Sequence, residues 1–148
     1  GVALEVHLQN TLLYVDKNLS YQGLCLRDFS GIRIYSPRAT INPARPGAIT
    51  VTDDYDTFIR KGYYAAFPGN LAEIVAILTA KTGKNPQTYW RIIRAIVDEL
   101  IAQHQPPQED VAALLAPTMK QKAFLRMAQN PDAGDAYVDI PNPLVGYT

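Results

Sequence analysis

From residue 4 to residue 9 the apolar and polar positions alternate strictly, Leu4-Glu5-Val6-His7-Leu8-Gln9. An extended chain over this stretch would set Leu4, Val6 and Leu8 on one face and Glu5, His7 and Gln9 on the other. Apolar residues resume in Thr11–Val15, give way to the turn formers Asp16, Lys17 and Asn18, and return over residues 23–26 before Arg27-Asp28-Phe29-Ser30-Gly31. That is a hairpin pattern. Its closure brings Asp28 back beside Asn10 and leaves the Arg27-Asp28 pair at the end of what reads as a buried strand.

Periodicity then changes. Residues 32–51, with Pro37, Pro43, Pro46 and Gly47, read as a long irregular connection holding at most short extended pieces. Residues 53–66 form a helix opened by acidic side chains and weakened by Gly62, with Tyr63, Tyr64 and Phe67 filling a core. Asn70 as N-cap with Glu73 three residues later starts a second helix, striped by Leu71, Ile74, Val75 and Leu78 and ended by Gly83. A third opens at Asn85-Pro86, turns Tyr89, Ile93, Ile96, Val97 and Leu100 inward, and stops at Pro106-Pro107. Residues 108–115 and 118–129 give a fourth and a fifth, and residues 131–148 a tail of little regularity. The fold class expected is α+β: an N-terminal β-hairpin carrying the polar motif, then a mostly helical bundle of about five helices, as one domain over residues 1–148.

Composition narrows the function. The 148 residues are 47% hydrophobic and 19% charged, ordinary for a globular domain, and a net charge of zero provides no basic surface for nucleic acid or an anionic membrane. No apolar run approaches the ~20 residues of a membrane span, and no signal-peptide pattern opens the chain, so a cytoplasmic protein is expected. Gly1 enters directly into strand-like sequence, which reads as a fragment of something longer. The lone Cys25 lies in an apolar strand and reads as a small buried thiol. There is no CxxC, no internal repeat and no glycine-rich phosphate loop.

The candidate chemistry sits in the hairpin region. A carboxylate, an imidazole and two carboxamides (Glu5, His7, Gln9, Asn10) can together hold a metal ion and a polyphosphate, and an amide oxygen beside a carboxylate at the hairpin mouth (Asn10, Asp28) suits Mg²⁺. The same pairing would serve a kinase-like phosphotransferase. His7 alone reads as half of a satisfied hydrogen-bond pair, and the convergence of five such residues is what makes a site. His104 reads as a surface or capping residue. Lys120, Lys122 and Arg126 read as a solvated helix face, the rival being that Lys122 and Arg126 bind a carboxylate-rich substrate.

The run GVALEVHLQNTLL followed by LRDFSG resembles the NRPS-independent siderophore synthetases, the family of aerobactin synthetase. Residues 115–118 (LAPT), 122–127 (KAFLRM) and 142–144 (NPL) are similar to that family's closing segments. The resemblance implies a cupped-hand enzyme of thumb, fingers and palm, of which this chain is the palm. It further implies an ATP-dependent ligase of siderophore biosynthesis and iron acquisition, using Mg²⁺. Such an enzyme adenylates a carboxylate of citrate or a related polycarboxylate, then condenses it with an amine, hydroxylamine or alcohol. On the matching positions, Glu5, His7, Gln9, Asn10 and Asp28 would bind the nucleotide. Glu5, Asn10 and Asp28 would hold the metal, with His7 and Asp28 catalytic and Arg27 assigned no contact. Its partners would be the thumb and fingers of the same enzyme, with a homodimer left open. Because the basic phosphate-binding elements of the fingers have no counterpart here, the chain is expected to be inactive alone. A non-catalytic helical interaction module is the rival from another class.

Overall fold

The computed structural model describes residues 1–39 and 50–146 and packs as two compact units, residues 1–70 and 71–148. Of the expected irregular connection, Pro43, Pro46 and Gly47 lie outside the described residues. The architecture is α+β, with the hairpin first and most of the helix after it.

In the first unit, strands β1 (Val2–Ala3), β2 (Thr11–Val15), β3 (Tyr21–Leu26), β4 (Arg33–Tyr35) and β5 (Val51–Thr52) precede helix α1 (Tyr55–Ala66). They form a three-stranded sheet in the order β1-β4-β5 and a separate two-stranded hairpin of β2 and β3. The hairpin runs from Thr11 opposite Leu26 to Val15 opposite Tyr21, with a shift of register between Tyr14 and Val15. Its turn is held by the Asp16 carboxylate, which accepts from the amides of Asn18 (2.8 Å) and Ser20 (2.9 Å). With only two strands, both faces carry exposed side chains, among them Leu13, Tyr14 and Leu24. Cys25 is therefore exposed, where a buried thiol was expected, and the Arg27-Asp28 pair ends an exposed strand instead of a buried one.

The strand expected over residues 4–9 does not form. Ordered pairing ends at Ala3, residues 4–7 have no ladder partner, and Leu8–Asn10 wind into a 3₁₀ turn. Side chains and one main-chain amide have captured the carbonyls that a ladder would use. The Val6 carbonyl accepts from Asn70 Nδ2 (2.7 Å) and Thr11 Oγ1 (3.1 Å), that of Glu5 from Asn10 Nδ2 (3.2 Å), and that of His7 from the Asn10 amide (2.9 Å).

Helix α1 is capped by Asp54, whose carboxylate accepts from the amides of Asp56 and Thr57. It buries Phe58, Tyr64 and Ala65, and Tyr35 stacks on Phe58 at 5.3 Å. Gly62, which weakens the helix as a propensity, faces β1, where a Cβ would come into ordinary contact with that of Ala3 at 3.4 Å. The helix leaves through a π turn, Phe67–Leu71, in which Pro68 has no amide to donate. This turn buries Asn70 and aims its amide at Val6 and at Thr11 Oγ1 (3.2 Å). Asn70 is consequently not the expected N-cap; the next helix begins behind Leu71 with no side-chain cap.

The second unit holds α2 (Ala72–Thr82), α3 (Pro86–His104), α4 (Gln108–Leu114), β6 (Thr118–Lys122), α5 (Phe124–Gln129) and β7 (Tyr137–Pro141). Gly83, at φ 68°, ends α2, and Asn85 caps α3 by accepting from the Gln87 amide, as the sequence indicates. The inward face of α3 differs from expectation. Trp90 and Val97 are buried while Ile96 and Leu100 are exposed, because the indole has the largest apolar surface on the helix to cover. The fifth helix is shorter than expected, since residues 118–122 pair antiparallel with residues 137–141. That partner lies in the supposedly irregular tail, and Lys120–Asp139 (2.9 Å) and Lys122–Asp135 (3.3 Å) ion pairs flank the ladder. After β7 the buried Asn142 donates to the carbonyls of Leu114 and Ala116, both at 2.8 Å, and accepts from the amide of Leu144, which is 1% exposed. Among the described residues no helix is long and apolar enough to cross a membrane.

Replacing Asn70 with Ala removes one of the two donors to the Val6 carbonyl, which keeps Thr11 Oγ1, and the bond from Asn70 to that hydroxyl. The expected cost is about 0.5–1.5 kcal/mol, read as a lower urea midpoint at unchanged slope, while Asn85→Ala at an exposed cap should cost about 1 kcal/mol.

Candidate functional site

The hairpin closes one step beyond its last ladder pair. The Arg27 amide donates to the Asn10 carbonyl (3.0 Å), and Arg27 Nε donates to the Gln9 carbonyl (2.9 Å). Arg27 is thereby a clasp on the 3₁₀ turn. The next residue, Asp28, adopts the left-handed conformation at φ 57°, which aspartate tolerates better than most side chains. Its Oδ1 accepts from the Ser30 hydroxyl (2.6 Å) and the Ser30 amide (3.1 Å). These two bonds, the hydroxyl's first, hold the exposed Asp28 carboxyl below its ordinary value. His7 and Arg27 pull weakly in the same direction, and partial desolvation opposes them. Asp28 is thus a dependable anion at the mouth of the hairpin.

Glu5, Asn10, Arg27 and Asp28, with Leu4 and Phe29, line a cleft of about 10 Å³, room for one water or one small ion. Asn10 is buried at 4% exposure. Its Nδ2 is committed to the Glu5 carbonyl and lies 3.4 Å from His7 Nε2, so Oδ1 is the atom it has to offer. Glu5 is placed differently from Asp28: its Oε1 meets Lys61 Nζ at 2.8 Å, and the two side chains are 14% and 13% exposed. Gly31 packs directly against that carboxylate, and a Cβ at this position would overlap Oε2.

Of the five motif residues expected to converge, Glu5, Asn10 and Asp28 share the cleft, and His7 reaches it through Asn10. Gln9 does not line it; its side chain is exposed and its carbonyl anchors Arg27. Among the described residues no three His, Cys, Asp or Glu side chains converge as a metal cage. A single small cation nevertheless fits the donor set, because Mg²⁺ is commonly held by one or two protein oxygens, waters and substrate phosphates. Sequence reasoning missed Lys61, Ser30, Gly31 and Asn70. Ser30 and Gly31 were within reach, being the last two residues of the RDFSG run, whereas Lys61 lies 56 residues from its partner. In the second unit, Lys122 sits on a strand in an ion pair, and Arg126 borders a wider hollow of about 350 Å³ with Met127, Asn130 and Gly134.

A carboxyl whose folded pKa is depressed adds stability above its unfolded pKa and loses it as the pH falls through the folded value. Carboxyl NMR titration of Asp28 should therefore show a midpoint below the ordinary 3.8, and Ser30→Ala, which removes the strongest cause, should move it upward.

A family model described as ferric iron reductase FhuF-like transporter matches residues 1–136. The D-ornithine–citrate ligase of Staphylococcus aureus is 25% identical over 166 aligned positions, covering 97% of this chain and 25% of the relative. An uncharacterised protein of Sinorhizobium fredii is 30% identical over an alignment of the same length, covering 97% and 26%. The petrobactin biosynthesis protein AsbB of Bacillus anthracis superposes with a TM-score of 0.80 at 20% identity, over 97% of this chain and 27% of that one. ATP-bound aerobactin synthetase IucA of Klebsiella pneumoniae gives 0.76 at 22% identity, over 99% and 26%. At these identities the superpositions speak for the fold. The chain spans about a quarter of the length of the relatives it matches. It belongs to the FhuF-like family and corresponds to the C-terminal part of the NRPS-independent siderophore synthetases.

Proposed function

We propose that this chain is the palm of an ATP-dependent siderophore synthetase that adenylates a carboxylate of citrate or a related polycarboxylate. The observation that carries the proposal is an anionic Asp28 and a buried Asn10 at one ion-sized cleft, with His7 beside them, in a chain related to a citrate ligase.

In this reading a substrate carboxylate oxygen attacks the α-phosphorus of ATP and the bond to the β-phosphoryl group breaks. Pyrophosphate leaves, and an amine, hydroxylamine or alcohol then attacks the acyl carbon and expels AMP. When bound, Mg²⁺ would neutralise phosphate charge as it is redistributed. Asp28 and the Asn10 Oδ1 would hold it, the one by charge and the other by a fixed carboxamide. His7, which neighbours the Asn10 carboxamide, would donate to a phosphate oxygen, and Arg27, which lines the cleft, would add positive charge at the rim. Glu5 forms the inner wall and Gln9 supplies an exposed carboxamide for the nucleotide. A cleft of this size accommodates the ion and not the nucleotide, so the triphosphate and the polycarboxylate need walls and cations from the rest of a longer protein.

Asp28→Asn keeps a side chain that tolerates the left-handed backbone and can still accept from Ser30, while deleting the charge. In the protein at its natural length, carboxylate-dependent pyrophosphate release should fall on the order of 100-fold or more with circular dichroism unchanged. The chain alone, given ATP, Mg²⁺, citrate and hydroxylamine, should form no hydroxamate. Near-normal release by Asp28→Asn would remove Asp28 from the site. ADP as the nucleotide product would mark a phosphotransferase, and no nucleotide-dependent stabilisation at all would mark an interaction module.

A further inference from the structure

We infer that Lys61 is a positioning residue for this site, and that Glu5 acts by pairing with Lys61 rather than by ligating the metal ion. The inference rests on the proposed function and adds to it a division of labour between the two carboxylates of the motif.

Three features define the pair. Lys61 Nζ and Glu5 Oε1 are 2.8 Å apart with about seven-eighths of each side chain withdrawn from solvent. Charges so withdrawn persist only when compensated, and removing one partner leaves the other buried and uncompensated. The opposite side of the Glu5 carboxylate is filled by Gly31, whose own Cβ position it occupies. A divalent cation seeking Glu5 would have to displace an ammonium on one oxygen and main chain on the other. Asp28, exposed and bonded among the described residues only to Ser30, presents no such obstacle.

The pair also reaches the reacting groups through the backbone. The carbonyl of Glu5 receives Asn10 Nδ2, the same nitrogen that sets His7 Nε2. Lys61 stands on α1 next to Gly62, where the helix meets β1, and so ties the unladdered residues 4–7 to a rigid element. Moving Glu5 would move Asn10 and His7 with it.

The test compares Lys61→Met, Lys61→Arg, Glu5→Gln and the Lys61→Met/Glu5→Gln double variant in the protein at its natural length. Pyrophosphate release is followed against Mg²⁺ and ATP at a temperature where all variants are folded. Lys61→Met and Glu5→Gln should each lower kcat about tenfold, with the double variant no worse than either single one. The Mg²⁺ half-saturation should stay within about twofold of wild type, and Lys61→Arg should recover most of the rate. A tenfold rise in the Mg²⁺ requirement of Glu5→Gln with full activity in Lys61→Met would make Glu5 a ligand and overturn the inference. Should the wild type release no pyrophosphate, the functional reading fails separately, and hydrogen exchange by mass spectrometry decides the pairing. Faster exchange over residues 4–10 in Lys61→Met, restored by Lys61→Arg, supports it, and unchanged exchange refutes it. If Lys61→Met does not fold, Lys61→Gln takes its place.

Discussion

Buried asparagine carboxamides hold the parts of this chain that have no ladder of their own. Asn10, Asn70 and Asn142 are the buried polar residues among those described, and each spends its amide on main-chain carbonyls: Glu5 for the first, Val6 for the second, Leu114 and Ala116 for the third. A main-chain carbonyl taken out of water needs a donor, and an irregular segment cannot find one in its neighbours. Asparagine delivers two N–H groups from a short side chain, so one residue can secure two turns of backbone. Asn10 and Asn70 secure the motif at residues 4–10, and Asn142, in the NPL run, secures residues 114–116 at the end of α4.

The site follows from that arrangement. With residues 4–7 fixed by Asn10 and Asn70, and the hairpin returning Arg27 to Asn10, two carboxylates arrive at one cleft in unlike surroundings. Glu5 is withdrawn, paired and packed against Gly31; Asp28 is exposed, held ionised by Ser30 and set on a left-handed backbone. Environment and not residue type separates the two carboxylates. The family description speaks of iron reduction and transport, whereas the relatives and superposed structures are named as a citrate ligase, a petrobactin biosynthesis protein and an aerobactin synthetase. The cleft's oxygen donors favour a hard cation beside phosphates.

How much of this was legible depended on whether the partner lay nearby in sequence. The hairpin, the Asp28–Asn10 proximity and the α2 and α3 boundaries at Gly83 and Asn85 all come from local turn and cap chemistry, and all were readable. The alternation at residues 4–9 misled, because period two does not register pairing, and the carbonyls concerned were claimed by Asn10, Thr11 and, 64 residues from Val6, Asn70. Residues 118–122 carry helix-forming Met, Lys and Gln, and only their pairing with residues 137–141 makes them a strand. Asn70 looked like a cap because Asn before an apolar stripe usually is one, but the π turn redirected it. Lys61, 56 residues from Glu5, left no local trace.

Cys25, exposed on β3 and three residues from Asp28, offers the most direct probe of the central claim. Three strand residues span about 10 Å, so a nitroxide at Cys25 should feel a paramagnetic ion in the cleft strongly. In the protein at its natural length, with any other cysteines replaced, Mn²⁺ with ATP should broaden the Cys25 nitroxide spectrum saturably, and Asp28→Asn should abolish the effect. A nitroxide that ignores Mn²⁺-ATP, or one broadened equally in Asp28→Asn, would place the ion elsewhere and contradict a nucleotide–metal site at the hairpin mouth.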